Sequence, residues 1–333
     1  MARPLRIEIA GGRYHVTSRG NERRPIFRDE RDRCHFLELL EQWPPRFGVR
    51  LHAYVLMDNH YHLVLETPEA NLSRAAQWLN LSYSAWFNRR HRHIRHLFQG
   101  RFKAIVLEGD AHVQQVARYV HLNPVRVMAL DLGKSRRKAV AAGLAQTPRA
   151  EVIRQRLEVL RKYRWSSYGA VAGYRAAPEW LWVKLLQGLC GGRNQLERLK
   201  AVRLYTEQAV REGLAESPWE GLISGLVLGS EDYARQLFGG VKRNQREESA
   251  ASRKRGRIDW GRYYGGCREP KERRGKDSAN GAEIGDGTPL FGWGDSLGGC
   301  AWENWQRLVE AAITRLWPKR SAALESGWDT TEC

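Results

Sequence analysis

Two histidines one residue apart, His60 and His62, are the feature that most constrains this chain. Two apolar runs that contain valine, 51–57 and 60–66, flank an Asp-Asn pair at 58–59, which is the pattern of a β-hairpin. Successive side chains of a strand point to opposite faces, so both imidazoles are expected on one face. Such a pair can bind one metal ion, and two half-buried structural histidines are the alternative.

The same spacing occurs a second time, at His91 and His93. This copy lies in an arginine-rich segment without apolar alternation. We therefore interpret it as a solvated basic segment and not as a metal site.

A short helix is predicted about sixty residues after the hairpin. Apolar residues recur at helical spacing from about Ala111 to Leu122, and Asp110 is the expected N-cap. Pro124 is expected to push Asn123 out of helical geometry.

One side of this predicted helix carries a tyrosine among polar residues. Gln115 and Tyr119 lie on that side with His112, Asn123 continues the line, and His121 lies roughly opposite Tyr119. A tyrosine hydroxyl, with a pKa of about 10 in water, is a weak nucleophile, and a divalent cation on a phosphate would give it a polarised target. Tyr119 and Asn123 are thus a candidate nucleophile and amide-oxygen ligand, with Gln115 as the alternative ligand. An ordinary core or surface tyrosine is the competing interpretation.

Four sequence segments occur together, and their order and spacing are more specific than any one of them alone. They are YHVTSRGNERRPIF from Tyr14, MDNHYHLVLETP from Met57, HLFQGRFKA from His96 and RYVHLNPVR from Arg118. In combination they resemble the REP-associated tyrosine transposases, single-tyrosine members of the HUH endonuclease superfamily. The resemblance is close from Tyr14 to about Val127 and weaker beyond it.

The resemblance implies both a site and a reaction. His60 and His62 match the metal-binding pair, Tyr119 the nucleophile and Asn123 a third ligand, with Mg²⁺ or Mn²⁺ as cofactor. In that family the tyrosine attacks single-stranded DNA beside a hairpin of repeated palindromic sequence. A 5′-phosphotyrosine and a free 3′-OH result, and attack by a 3′-OH rejoins the DNA. No ATP is required, in agreement with the absence of a GxxxxGK[ST] sequence.

The distribution of charge favours a nucleic-acid partner. The chain carries 55 basic and 37 acidic side chains, and its first 180 residues hold +15 of the net +18. Such an excess suits a polyphosphate, although a solvated basic face is the alternative. The predicted DNA-binding side chains are Arg19, Arg23, Arg24, Arg101, Lys103 and Arg126.

The predicted elements follow the order βαββαβ and then the tyrosine helix. Strands are expected at 13–18, 49–56, 60–66 and 102–107, and helices at 30–43, 72–89, 111–122 and 149–163. This order indicates an α+β, ferredoxin-like (split βαβ) fold with an antiparallel sheet. Helices on one face would leave the other face, or its edge, available for a ligand.

Three regions are expected along the chain. They are a single-tyrosine HUH transposase domain at 1–130, a basic connection and helical extension at 131–240, and a Gly/Arg-rich tail of low order at 241–333. The tail has eleven glycines in residues 261–300 and a candidate terminal helix from Trp302 to Trp317.

Five scattered cysteines without a CxxC pair favour a reducing compartment. Neither a signal peptide nor a membrane span is recognisable, so a cytoplasmic, nucleoid-associated protein is expected. The sequence leaves a monomer and a homodimer open.

Three other functions compete with the transposase. A catalytically silent DNA-binding or regulatory protein would keep the same scaffold. An RNA-binding module of the RRM type would need an RNP1 pattern, which is absent. A rolling-circle replication initiator or relaxase often pairs two tyrosines on the helix and adds a helicase, whereas this helix has one tyrosine.

Overall fold

The computed structural model describes residues 6–126, 142, 148–212 and 217–240. The predicted tail at 241–333, its terminal helix and most of the connection after residue 126 lie outside the described residues. The boundaries of the three expected regions therefore stay a prediction.

The first part of the chain has the predicted order of elements. They are β1 (Gly12–Arg19), α1 (Glu30–Glu41), α2 (Trp43–Phe47), β2 (Arg50–Met57), β3 (His60–Thr67), α3 (Leu72–His91), β4 (Lys103–Leu107) and α4 (Gly109–Leu122). Asp29 caps α1, with its carboxylate accepting from the Asp32 amide. The expected cap of α4 is wrong, because Glu108 holds the N-cap position. Asp110 lies in the first turn and pairs with Arg13.

The second part is mainly helical, as predicted, and adds two short strands. Its elements are α5 (Ala150–Lys162), α6 (Tyr168–Val171), α7 (Val183–Leu189), α8 (Gln195–Glu212), β5 (Leu222–Ile223) and β6 (Val227–Leu228), and residues 231–240 are helical. Within the described ranges, no helix is long and apolar enough to cross a bilayer.

The strands form one sheet in the order β2-β3-β1-β4-β6-β5. The first four strands are antiparallel neighbours in the ferredoxin-like order, which confirms the predicted fold class. The sheet as a whole is mixed, because β6 runs parallel to β4. In the β1–β3 register, Arg19 is opposite His60 and Thr17 is opposite His62.

Both faces of the sheet are packed against helices. Tyr61 and Leu63 of β3 belong to the core formed with α1 and α3. Val64 points the other way, into a second core with Val116 and Val120 of α4. The expectation of one free face is therefore wrong. The valines of α4 recur at helical spacing and form an apolar stripe that is buried against the sheet.

Candidate active site

His60 and His62 share the face of the sheet that α4 covers. Their ring centroids are 4.9 Å apart and the rings are nearly perpendicular. His60 is half-buried and His62 is 8% exposed. The pair thus has the common direction that the hairpin pattern predicts.

Hydrogen bonds hold one nitrogen of each ring. His60 Nδ1 lies 2.6 Å from Asn59 Oδ1, and His62 Nδ1 lies 2.9 Å from His15 Nε2. The Asn59 amide nitrogen donates to the Arg23 carbonyl, which turns its oxygen toward His60. Because that oxygen only accepts, the His60 proton is on Nδ1 and Nε2 keeps its lone pair.

Burial keeps both imidazoles neutral at pH 7. It lowers the pKa of His60 to about 4, with a smaller contribution from the Arg19 charge. It also holds the pKa of His62 well below its usual range, and the neighbouring His15 and His60 add to that effect. The neutral ring is the form that binds a metal ion.

Tyr119 of α4 lies beside this pair. Its ring centroid is 5.8 Å from that of His62 and 6.5 Å from that of His15, with the rings edge-on in both cases. The Arg126 guanidinium lies over the Tyr119 ring, 4.4 Å from its centroid. Tyr119 therefore lies between His62 and the Arg126 guanidinium, and His60 adjoins His62.

Asn123 continues the helix, contrary to the expected break at Pro124. Its backbone is helical (φ −52°, ψ −42°) and opens the short 3₁₀ turn Asn123–Val125. Proline is accepted in the first turn of a helix, where its missing N–H leaves no bond unmade. The Asn123 amide nitrogen donates to the Tyr119 and Val120 carbonyls, at 3.0 and 3.3 Å. Its amide oxygen is therefore the atom that remains for a ligand.

The other polar residues of α4 that the sequence singled out are His121, His112 and Gln115. His121 points away from Tyr119, as predicted, and its Nε2 is 3.0 Å from Ser167 Oγ in a buried position. Burial lowers the pKa of His121 to about 3. His112 Nδ1 bonds to the Glu108 carbonyl, 2.6 Å away, in the first turn. Gln115 is half-buried.

Two aromatic neighbours of the site were missed by the sequence reasoning. The Trp219 ring centroid is 5.1 Å from that of Tyr119 and 4.9 Å from that of His15. His15 had a detectable signal, because it shares the strand face of Thr17 and Arg19. Trp219 lies one hundred residues after Tyr119 in a segment without a regular pattern, so nothing local predicts its position.

Apart from Arg126, which lies over the Tyr119 ring, the predicted DNA-binding residues form two groups. Arg19 ends β1 and Arg23 and Arg24 lie in the turn that follows it, where the Gly20 amide donates to the Asn59 carbonyl of the hairpin turn. The second group, Arg101 and Lys103, lines a cleft together with Arg6, His15 and Thr17.

We expected the second pair of histidines, His91 and His93, to be solvated, but both rings have hydrogen-bond partners. His91 Nε2 lies 2.8 Å from an oxygen of Asp32, a fully buried carboxylate. His93 Nδ1 lies 2.9 Å from Asn88 Oδ1. The two rings have separate partners and form no common site.

The donor set of the first pair suits a divalent cation. Two neutral imidazoles and an amide oxygen would leave coordination positions for phosphate oxygens, and Mn²⁺ tolerates nitrogen ligands better than Mg²⁺ does. No cluster of three or more His, Cys, Asp or Glu side chains able to hold a metal is found among the described residues. The amide of Asn123 would have to complete the set.

The first part of the chain matches a known protein family. Residues 9–123 match the family model described as transposase, IS200-like. This segment contains the four antiparallel strands and the helix of Tyr119.

A solved structure of a REP-associated tyrosine transposase bound to a REP hairpin is also similar to this chain. It has 14% sequence identity and a TM-score of 0.37, and the match covers 54% of this chain and 89% of that one. No curated protein matches the sequence.

Proposed function

We propose that this protein is a metal-dependent single-strand DNA endonuclease and strand transferase of the REP-associated tyrosine type. The observation that carries the proposal is the position of Tyr119, whose ring centroid is 5.8 Å from that of His62 within the segment that matches the transposase model. Neutral His60 and His62, with the amide oxygen of Asn123, would hold Mg²⁺ or Mn²⁺.

The proposed reaction is a transfer of the DNA phosphate to Tyr119. The tyrosine oxygen forms a bond to phosphorus while the bond from phosphorus to the 3′ oxygen breaks. The phenol loses its proton and the departing 3′ oxygen gains one, so the products are a 5′-phosphotyrosine and a 3′-OH. Attack by a 3′-OH on the tyrosine ester reverses these bonds and rejoins DNA, without any other energy source.

The side chains around Tyr119 suit this transfer. The Arg126 guanidinium, 4.4 Å from the ring centroid, would stabilise negative charge on the phenolate or phosphate. A bound metal ion would polarise the phosphate and orient the scissile bond. His60 and His62 would bind the metal through their lone pairs and would not act as general acids, because both rings are neutral at pH 7.

The proposed substrate is single-stranded DNA beside a hairpin. Tyr119 is half-buried and His62 is 8% exposed between α4 and the sheet, and a phosphate of a single strand would reach them more readily than one in a regular duplex. Arg19, Arg23 and Arg24 would contact the flanking backbone through charge, independently of base sequence.

The test is covalent capture of labelled DNA. A single-stranded, hairpin-bearing oligonucleotide is incubated with the full chain and Mn²⁺, and a denaturing gel detects protein-linked DNA. We expect an adduct with this substrate and none with the matched plain duplex, or in EDTA.

Tyr119→Phe is the matched control, since it removes one oxygen and keeps the ring. This variant should bind the oligonucleotide in a gel shift and form no adduct. Binding by the parent without any adduct would instead support the catalytically silent DNA-binding protein. Equal cleavage of duplex and hairpin would contradict the proposed substrate.

A further inference from the structure

His15, on strand β1, forms a hydrogen bond with His62 of the candidate metal pair. Its Nε2 lies 2.9 Å from His62 Nδ1, and the two ring planes are 15° from parallel with centroids 5.1 Å apart. Trp219 packs against His15 as well, with ring centroids 4.9 Å apart. His15 is therefore held in place between the site and the chain that follows α8.

The direction of this hydrogen bond decides whether His62 can bind a metal. If His15 Nε2 donated the proton, neutral His62 would carry its own proton on Nε2 and present an N–H to the site. If His62 Nδ1 donates, its Nε2 has a free lone pair. Only the second arrangement gives a ligand.

The other nitrogen of His15 has no partner in the described part of the chain that would fix its proton. His15 Nδ1 is buried and has no hydrogen-bond partner among the described residues. In the arrangement that frees His62 Nε2, this nitrogen carries the His15 proton. The other arrangement leaves the same nitrogen unpaired as a lone pair, so the protein alone does not fix the direction. A cation bound at His62 Nε2 would select the arrangement in which the His62 Nε2 lone pair is free.

We propose that His15 is a positioning residue whose Nε2 accepts a hydrogen bond from His62 Nδ1–H and thereby directs the His62 Nε2 lone pair to the metal ion. The proposal rests on the proposed function, because it presumes that His60 and His62 bind a divalent cation. His15 has the place that a carboxylate or backbone carbonyl often holds behind a metal-bound histidine.

Two substitutions separate the accepting nitrogen from the volume of the ring. His15→Phe keeps a planar ring and loses the acceptor, whereas His15→Gln can place an amide oxygen near the position of Nε2. The probe is Mn²⁺ itself, titrated into the full chain without DNA while electron paramagnetic resonance follows the free ion. We expect His15→Phe to weaken Mn²⁺ affinity about 10- to 100-fold and His15→Gln to restore it to within about threefold of the parent.

His121→Phe is the matched control, since His121 is another buried histidine with one hydrogen bond. It should leave Mn²⁺ affinity unchanged. Thermal unfolding in EDTA verifies that each variant is folded.

A second measurement distinguishes positioning from a structural role. His15→Phe should raise the Mn²⁺ concentration needed for half-maximal adduct formation and retain most of the rate at saturating Mn²⁺. A variant that only loosens the fold would have a lower rate even at saturating Mn²⁺.

Two results overturn the proposal while the proposed function stands. In one, His15→Phe binds Mn²⁺ as the parent does; in the other, folded His15→Gln is as weak as His15→Phe. If the parent binds Mn²⁺ no better than a His60→Ala, His62→Ala double variant, the metal site itself fails and this proposal fails with it.

Discussion

The two HxH motifs have the same spacing and differ in the element that carries them. His60 and His62 lie on strand β3, where a spacing of two residues gives a common direction. His91 is the last residue of α3, and His93 follows Arg92, whose left-handed backbone (φ 48°) ends the helix. The chain turns between these two rings, and they bind different partners.

The comparison teaches that spacing has chemical meaning only together with backbone geometry. On β3 the intervening Tyr61 is buried against α1 and α3, which fixes both histidines on the opposite face. At the end of α3, the contacts of His91 with Asp32 tie the helix to the first turn of α1. One motif is arranged for a shared ligand and the other for local stability.

The largest expected difference is in adduct formation between two double variants, one for each histidine pair. His60→Ala with His62→Ala should reduce adduct formation below detection, because no imidazole remains for the metal. His91→Ala with His93→Ala should leave the adduct rate within about threefold. It should lower the free energy of unfolding by about 1 to 3 kcal/mol, since buried Asp32 loses a partner. Loss of the adduct in the second variant, with the fold intact, would end the distinction.

Asn123 and His121 extend the comparison to helix α4. Asn123→Ala should raise the Mn²⁺ concentration for half-maximal adduct formation about tenfold or more, because the third ligand is lost. His121→Ala should leave that concentration nearly unchanged, since its ring faces Ser167. Activity that requires His121 and tolerates Asn123→Ala would show that Gln115 or another group is the ligand.

Acid should report on the burial of the first pair. The folded pKa of His60 is lowered to about 4, so the unfolded chain takes up the proton first as pH falls. Folding stability is thus present above the unfolded pKa, about 6.5, and is lost as pH falls from there toward 4. In metal-free urea titrations, His60→Ala should reduce the slope of unfolding free energy with pH by up to about 1.4 kcal/mol per unit. An unchanged slope would mean that His60 is accessible to water.

Trp219 gives the smallest expected effect. Trp219→Ala should slow adduct formation about three- to tenfold, because Tyr119 and His15 lose an aromatic neighbour that helps to orient them. Trp219→Phe should retain most of the rate, and single-turnover assays at saturating Mn²⁺ compare the two. Equal rates for Trp219→Ala and the parent would show that Trp219 does not help to orient Tyr119.

The parts that sequence reasoning predicted depend on local patterns. The hairpin of β2 and β3, the helix of Tyr119 and the opposite direction of His121 all follow from alternation or helical spacing, and the structure has them. The family resemblance supplied the chemical role that spacing alone could not give to Tyr119.

The parts that were missed depend on contacts distant in sequence. The pairing of β6 with β4 joins segments about 120 residues apart, and no short window contains that information. The cover on the second face of the sheet, the bond from His15 to His62 and the position of Trp219 are of the same kind. Asn123 was misjudged for a local reason, because a short 3₁₀ turn accepts the following proline.

The central claim is that Tyr119 forms the covalent bond to DNA at the His60–His62 pair. The most direct measurement is mass spectrometry of the protein after reaction with the hairpin oligonucleotide and Mn²⁺, followed by nuclease and protease digestion. We predict a nucleotide phosphate on the peptide that contains Tyr119, and its absence when both histidines are replaced by alanine. A nucleotide on any other tyrosine, or an adduct on Tyr119 that persists without the histidines, would contradict the claim.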